Sequence, residues 1–285
     1  MCVALVAGAA LLLLTAPFGD GDSGDAAGTH RRPADRFDSV AAMRLVREQV
    51  RLGPRPAGSP ESRRLARRIH RIVPAAGYQE VPGGLRNVVG RIPGRGRGYV
   101  VVGAHYDTKD APGFVGAVDG ASGTAVALQL ARTIRPRTLR RTVVFAFFDG
   151  EESPRGTPDA RFEQEGLRGS RVAARRYRDA RAMVLLDYVG NRRLSIPREG
   201  FSNAVLWRKL RFAARRAGAA GAFPATISGG ILDDHLPFLR QGVPSIDLID
   251  FTFPCFHRRC DDLSAVSERS LDLTGETLMG FLASL

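Results

Sequence analysis

The stretch TVVFAFFDGEES, residues 142–153, joins an apolar run of strand length to three carboxylates within four residues. The run 142–148 is typical of a strand buried inside a sheet. An ionised carboxylate at the end of a buried strand is costly unless a cation or a proton compensates it. The stretch therefore predicts a buried strand that delivers Asp149, Glu151 and Glu152 to a site containing a positive charge.

Further apolar runs of strand length alternate along the chain with segments of helical periodicity. Gly, Pro and Asp residues bound these runs, which span 87–92, 98–104, 182–188 and 244–249. The helical patterns occupy 38–51, 60–76, 121–134, 169–178, 203–217, 235–241 and 267–284. This alternation predicts an α/β fold, a three-layer α/β/α sandwich with a mixed, mostly parallel central sheet.

Length and composition favour one large domain. The chain has 285 residues, of which 44% are hydrophobic and 25% charged, so it can bury a sizeable core. The net charge of +13 comes from basic residues spread along the whole chain. Their sharpest cluster, residues 63–68, alternates with apolar residues at helical spacing, which indicates a solvated helix face. We therefore expect no nucleic-acid partner.

The N-terminal segment differs in composition from the rest. Residues 1–18 are mostly small and apolar, which predicts a signal peptide or a membrane anchor. Residues 19–36 are rich in Gly, Asp and Ser and indicate a flexible linker, followed by a single catalytic domain at 37–285. We expect export to the periplasm, cell envelope or extracellular space, with membrane contact only through such an anchor.

Two cysteines flank a histidine in the segment PCFHRRC, residues 254–260. Cys255 and Cys260 lie five positions apart and are able to close a small disulfide, which an exported protein would permit. Two free thiols are the alternative. Neither a zinc-binding nor a nucleophile pattern fits the spacing, which favours the disulfide.

Polar residues follow the predicted strands at the point where each strand ends. They are His105, Asp107, Asp119 in a Gly-rich loop, Asp149, Glu151, Glu152, Asp187, Asp233, Asp234, His235 and His257. Ligands bind at this edge of an open α/β sheet. Several acids and histidines gathered there require a positive charge, which a divalent metal supplies.

Zinc suits a mixed set of carboxylates and imidazoles. Asp119, Glu152 and His257 would provide one ligand from each of three loops and leave a fourth position open. Glu151 would then face the substrate as general base and acid. Asp149 would order the loop backbone. We expect one Zn²⁺.

Six motifs in this order resemble the zinc aminopeptidase superfamily, which includes the glutaminyl cyclases. They are GAHYDT (103–108), GFVGAVDGASG (113–123), FFDGEES (147–153), LLDYVG (185–190), ILDDHLPFLRQGVP (231–244) and FPCFH (253–257), which is followed by Asp261 and Asp262. The likeness covers about residues 37–285 and is greatest to the glutaminyl cyclases, so it implies a zinc-aminopeptidase-like fold. As an ordered set the motifs are specific.

The resemblance implies residue roles and a reaction. Asp119, Glu152 and His257 match the zinc ligands of the cyclases, and Glu151 matches their proton-shuttling glutamate. Asp187 and Asp233 match the acids of a catalytic hydrogen-bond network. The implied reaction converts the N-terminal glutamine of a peptide or protein to pyroglutamate with release of ammonia.

Two other functions remain open. A zinc aminopeptidase would use His105 and Asp187 as ligands for a second metal that shares Asp119, so two zinc ions are possible. A non-catalytic binding protein on the same fold would be expected to have lost a ligand or the base, and all are present.

Several residues are expected to support the site. Asp107, Asp149 and His235 are candidates for the shell around the ligands, although His235 is equally consistent with a structural role in its helix. Phe253 and Phe256 flank the proposed ligand histidine and are candidates for the apolar wall of a side-chain pocket.

Overall fold

Five of the six strands coincide with apolar runs of the sequence. The computed structural model describes residues 36–285 and contains there the strands Gly77–Val81 (β1), Leu85–Ile92 (β2), Tyr99–His105 (β3), Thr142–Phe148 (β4), Met183–Asp187 (β5) and Ser245–Ile249 (β6). The helices of this region are Ser39–Val50 (α1), Pro60–Ile72 (α2), Ala121–Thr133 (α3), Phe162–Glu165 (α4), Arg168–Arg176 (α5), Ala204–Arg216 (α6), His235–Arg240 (α7) and Glu268–Ser284 (α8).

The strands form one mixed sheet in the order β1-β2-β4-β3-β5-β6. β3 pairs in parallel with β4 and β5, and β5 pairs in parallel with β6. The pairs β1/β2 and β2/β4 are antiparallel. Four adjacent strands therefore run in one direction, which confirms the predicted mixed, mostly parallel sheet.

Both faces of the sheet are buried, because neighbouring residues of β4 point into different cores. Val143 and Phe145 belong to a large core shared with α1, α3, α6 and α8. Val144 and Phe148 belong to a smaller core shared with α5 and α7. Alternate residues of a strand face opposite sides, so this division confirms a three-layer α/β/α sandwich.

The sequence prediction missed two short elements and made one helix too long. β1 alternates half-buried and exposed residues at the sheet edge, so it shows no apolar run. α4 is a single turn. The helix predicted at 60–76 ends at Ile72, because the proline at position 74 disfavours helical backbone at Val73, which is extended.

The arginine-rich helix α2 presents its charges to solvent. Arg63, Arg64 and Arg67 are exposed, whereas Leu65 and Ala66 between them are buried. This arrangement is that of an amphipathic helix lying on the core.

The predicted signal peptide or anchor at residues 1–18 lies outside the described residues, as does nearly all of the predicted linker. Among the helices of residues 36–285, none is long and apolar enough to cross a membrane.

Candidate active site

The parallel strands bring the polar motifs to one edge of the sheet. His105 ends β3 in register with Phe148, the last residue of β4. Asp187 ends β5 in register with Ile249, the last residue of β6. The loops that follow these ends carry the glutamate pair and the histidine of the last motif. Side chains from five of the six motifs therefore come within contact distance.

Asp119, Glu152 and His257 form a group that we call the open group, because it faces a cavity. The Nε2 atom of His257 lies 3.0 Å from Glu152 Oε1 and 3.5 Å from Asp119 Oδ2. One ligand atom from each residue lies within 4.8 Å of the others. The structure thus brings together the three residues that the sequence proposes as zinc ligands.

The donor set of the open group fits a zinc ion. Both carboxylate oxygens of Glu152 are buried and accept no well-aligned hydrogen bond, although they contact His257 and Lys109 as ion pairs. Buried carboxylate oxygens without hydrogen bonds are costly unless a cation is near. Two carboxylates and one imidazole are a set that zinc prefers.

Lys109 is a residue of the site that the sequence reasoning missed. Its Nζ atom lies 3.1 Å from Glu152 Oε2 and donates a hydrogen bond to Ser153 Oγ at 3.2 Å. The sequence contained a weak signal, because Lys109 and Lys209 are the only lysines among 42 basic residues. Lys109 supplies positive charge beside the open group.

His105, Asp119 and Asp187 form a second group, which we call the closed group because all three are buried. His105 Nε2 lies 3.1 Å from Asp119 Oδ1 and 3.3 Å from Asp187 Oδ1. Its Nδ1 atom lies 3.6 Å from Asp107 Oδ1. Burial alone would lower the pKa of His105, but hydrogen bonds to these carboxylates together raise it well above 6.5.

Glu151 lines the cavity without belonging to either group. Burial raises the pKa of Glu151 well above its usual value, and the neighbouring Glu152 carboxylate adds to the effect against the opposing charge of His105. Its backbone N–H donates to Asp107 Oδ1 at 3.3 Å. A carboxyl with a raised pKa beside a metal group is suited to accept and return a proton.

Asp107 and Asp149 hold the loop that carries the two glutamates. Asp107 accepts backbone hydrogen bonds from Glu151 and from Glu152, the second at 3.2 Å. Asp149 accepts from the Ser62 hydroxyl at 3.2 Å and from the backbone N–H of residue 86 at the same distance. Both acids therefore act on backbone and loop positions, in the roles that the sequence proposes for them.

Asp187 and Asp233 both line the cavity, and we call the part of the lining that they form its floor. Asp187 accepts a hydrogen bond from the backbone N–H of Tyr188 at 2.9 Å in addition to its contact with His105. Burial raises the pKa of Asp233 to about 7, and the nearby Asp187 carboxylate contributes to the shift.

His235 opens helix α7 and lies beneath this floor, fully buried between two carboxylates. Its Nε2 atom is 3.3 Å from Glu199 Oε2, and its Nδ1 atom is 3.5 Å from Asp247 Oδ2. Glu199 also accepts a hydrogen bond from the backbone N–H of Ile231 at 2.9 Å. His235 therefore braces the segment that bears Asp233 instead of reaching the cavity.

A cavity of about 380 Å³ lies over the open group. Its apolar wall consists of Phe162, Tyr188, Ile231, Leu232, Ile249, Phe251 and Phe256. Phe256 stacks on the His257 ring with centroids 3.9 Å apart. Phe253 is buried behind Tyr188, with ring centroids 5.8 Å apart, so it supports the wall from the protein interior.

Two further residues position the Asp119 loop: Asp261, which the sequence analysis names only as following the last motif, and Arg55, which it does not mention. Asp261 accepts hydrogen bonds from the backbone N–H groups of Val118 and Asp119, at 2.7 and 3.1 Å. The fully buried Arg55 donates to the carbonyl of Val115 at 2.9 Å. Neither role leaves a local sequence pattern, because each partner lies far away along the chain.

Comparison with known proteins identifies relatives of the whole described region. A model of peptidase family M28 matches residues 87–282. A glutaminyl-peptide cyclotransferase from Drosophila melanogaster is 30% identical over an alignment of 217 residues that covers 63% of this chain and 59% of that protein. The chain spans about three fifths of the length of the curated relatives it matches.

Solved structures extend the similarity to nearly the whole length of two bacterial enzymes. A glutaminyl cyclase from an Acidobacteriales bacterium aligns with a TM-score of 0.75 and 28% identity, covering 87% of this chain and 94% of that one. A structure described as a leucine aminopeptidase precursor from Bacteroides thetaiotaomicron aligns with a TM-score of 0.78 and 26% identity, covering 88% and 98%. Both kinds of enzyme named as open possibilities thus occur among the structural neighbours.

Proposed function

The chain belongs to peptidase family M28, and on that premise we propose that it is a zinc-dependent glutaminyl-peptide cyclotransferase. The substrate is a peptide or protein with glutamine at its N-terminus, and the products are the pyroglutamyl peptide and ammonia. One observation carries the proposal: Glu151 stands beside the open group in a small cavity but is not part of the ligand set. A cyclisation needs such a carboxyl to move one proton.

The open group would hold the metal. Asp119, Glu152 and His257 would bind the zinc ion, which would supply Lewis-acid chemistry for the side-chain carboxamide of the N-terminal glutamine. Tyr188 fixes the orientation of one ligand, because its hydroxyl donates to Asp119 Oδ2 at 2.7 Å. The tyrosine therefore acts on the metal site through Asp119.

Glu151 moves the proton. Its carboxylate accepts a proton from the substrate α-amine as the amine nitrogen bonds to the side-chain carbonyl carbon. It then returns that proton to the amide nitrogen, the old carbon–nitrogen bond breaks, and ammonia leaves. The reaction is intramolecular, so positioning and charge supply much of the rate enhancement.

The cavity floor and wall orient the substrate. Asp187 and Asp233 place negative charge near the α-amine, and Asp233 has a pKa raised to about 7 by burial and by Asp187, so it can donate or accept a hydrogen bond near neutral pH. The apolar side chains of Ile231 and Phe256 exclude water from the glutamine methylenes.

A zinc aminopeptidase is the second candidate, and the complete closed group favours it. Hydrolysis by two metals would place the second ion between His105, Asp119 and Asp187. The cyclase is preferred because His105 already contacts both Asp119 and Asp187 as ion pairs through its Nε2 atom. A binding protein without chemistry is a remote third candidate, and absence of metal affinity in the purified protein would support it.

The proposal is tested with a peptide that begins with glutamine and a matched peptide whose α-amine is acetylated. The zinc-loaded protein should release ammonia from the first and leave the second intact, because acetylation removes the nucleophile. Mass spectrometry and an ammonia assay follow both peptides. Ammonia from the acetylated peptide would indicate plain deamidation, and ammonia from neither would refute the cyclase.

A further inference from the structure

The ligand His257 lies in a segment that has little support from the core. Residues 254–260 follow β6 and are mostly exposed. His257 itself has a φ of 51°, in the left-handed region that a residue with a side chain seldom adopts. A backbone hydrogen bond of 3.0 Å from Arg258 N–H to the Cys255 carbonyl braces the turn. Such a conformation persists only where its surroundings impose it.

The Cys255–Cys260 disulfide closes a ring around this histidine. The two cysteines are five positions apart, so the ring contains six residues with His257 inside it. Cys255 is half-buried against the core, whereas Cys260 is exposed. The exposed cysteine leaves the bridge accessible to a small reductant.

The residues on both sides of the disulfide ring are connected to the Asp119 ligand by contacts. On the C-terminal side, Cys260 is followed by Asp261, whose carboxylate accepts the backbone N–H of Asp119 at 3.1 Å. On the N-terminal side, Phe253 packs against Tyr188, whose hydroxyl donates to the Asp119 carboxylate at 2.7 Å. The bridge therefore fixes the position of one ligand relative to another.

From this arrangement we infer that the Cys255–Cys260 disulfide is the positioning element for His257, and that its reduction weakens metal binding at the open group while the domain stays folded. The inference rests on the metal site of the proposed function and adds a redox dependence to it. Reduction by a small dithiol breaks the S–S bond. Two electrons and two protons pass to the cysteines, which become thiols, and the dithiol becomes a cyclic disulfide.

The expected effect follows from the size of the ring. Opening a six-residue ring releases chain entropy that corresponds to a factor of about forty in an equilibrium constant. Some of the added conformational freedom moves His257 away from its ligand position. Zinc binding must restrict that motion, and the entropy lost in doing so weakens the affinity. We expect zinc affinity to fall by about tenfold to thirtyfold.

The test compares zinc affinity, by competition with a chelator, in the oxidised protein, the dithiol-reduced protein and the variants Cys255→Ala/Cys260→Ala and His257→Ala. Circular dichroism verifies that each is folded. The double variant lacks the two thiols that are able to bind zinc themselves. Its zinc affinity should not change when dithiol is added, which controls for an effect of Cys2. The reduced protein and the double variant should show the same loss, and His257→Ala a larger one.

The outcomes separate the inference from the function on which it rests. Equal affinity in the oxidised protein and the double variant, both folded, would assign the bridge a purely structural role and overturn the inference alone. A thiolate-to-metal absorption band in the reduced protein loaded with cobalt(II) would make the cysteines ligands and also overturn it. No zinc binding by the oxidised protein, or undiminished binding by His257→Ala, would refute the metal site itself.

Discussion

The open group and the closed group share Asp119 and the same kinds of side chain, yet they differ in what balances their charge. In the open group, His257 retains 27% of its side-chain exposure and Glu152 has buried oxygens without well-aligned hydrogen bonds. In the closed group, His105 is 1% exposed and its Nε2 atom contacts both Asp119 and Asp187, whereas its Nδ1 atom lies 3.6 Å from Asp107 without a well-aligned hydrogen bond.

Under the proposed function, the open group would be the metal site and the closed group an ion-pair network. Where a buried histidine already lies among the carboxylates, it can carry the compensating charge as an imidazolium. In the open group, Lys109 and His257 contact the Glu152 carboxylate beside a cavity, and a bound metal ion would add further positive charge there. The pKa of Asp119 reflects both environments: burial alone would raise it, but His105 and then His257 lower it.

We expect the largest difference between variants of the two adjacent glutamates, Glu151 and Glu152. Glu151→Gln should lower turnover by about 10²- to 10⁴-fold with zinc content unchanged, because the group that moves the proton is lost and the ligands remain. Glu152→Gln, the matched control, should lose zinc. Turnover measured beside zinc content by atomic absorption checks the pair. Equal zinc loss in both variants would show that the glutamates do not divide these roles.

The two histidines should differ in what they do for the fold. His105→Ala leaves buried carboxylates without their imidazole and should lower the free energy of unfolding of the metal-free protein by about 3–5 kcal/mol. His257→Ala should cost less than about 1 kcal/mol there, because its side chain is partly exposed. Urea unfolding measures both. If His257→Ala proved more destabilising than His105→Ala, the open and closed groups would not differ in the way described.

Asp149 provides a comparison with the two groups, because it is a buried carboxyl group whose charge no cation within residues 36–285 balances. Burial and then Asp107 raise the pKa of Asp149 from 3.8 to about 6. The folded state therefore holds a proton that the unfolded state releases at lower pH. The stability from this proton is complete below pH 3.8, falls as pH rises to about 6, and is then lost.

The Asp149→Asn variant should therefore gain stability relative to the wild type between these two pH values. The gain should reach at most about 3 kcal/mol. Urea unfolding of the metal-free proteins at a series of pH values measures it. A difference that stayed constant with pH would mean that Asp149 titrates alike in the folded and unfolded states.

We expect the smallest difference between variants of the neighbouring aspartates Asp261 and Asp262. Asp261→Asn should cost about 1–3 kcal/mol and weaken zinc binding, because one of two buried N–H groups of the Asp119 loop loses its acceptor. Asp262→Asn is the control: its carboxylate accepts the backbone N–H of Ser264 in an exposed turn and should cost less than about 1 kcal/mol. Thermal unfolding and zinc titration compare the two, and equal effects would remove the special role of Asp261.

The three-layer fold and the three candidate metal ligands could be predicted from the sequence. Both predictions rest on patterns that are local in the chain. Apolar runs such as 142–148 are continuous because both faces of the sheet are covered, so they mark the inner strands. The acids directly after such runs must lie at the edge where those strands end. The structure places Asp119, Glu152 and His257 together there.

The missed features depend on partners that are distant in sequence. Lys109 contacts Glu152 across 43 positions, and Asp261 reaches the backbone of Val118 across 143. β1 was missed in the sequence analysis because an edge strand that is exposed on one side carries polar residues and has no apolar run. Tertiary packing, which no local pattern encodes, determines each of them.

The central claim, a cyclase with one zinc ion in the open group, is tested by one titration. Metal-free protein receives from zero to two equivalents of zinc in the presence of equal amounts of a glutamine-initiated and a leucine-initiated peptide, and mass spectrometry follows both. The account predicts that pyroglutamate formation reaches its full rate at the first equivalent and that the leucine peptide stays intact throughout. Release of leucine that grows with the second equivalent would contradict it and establish a two-metal aminopeptidase.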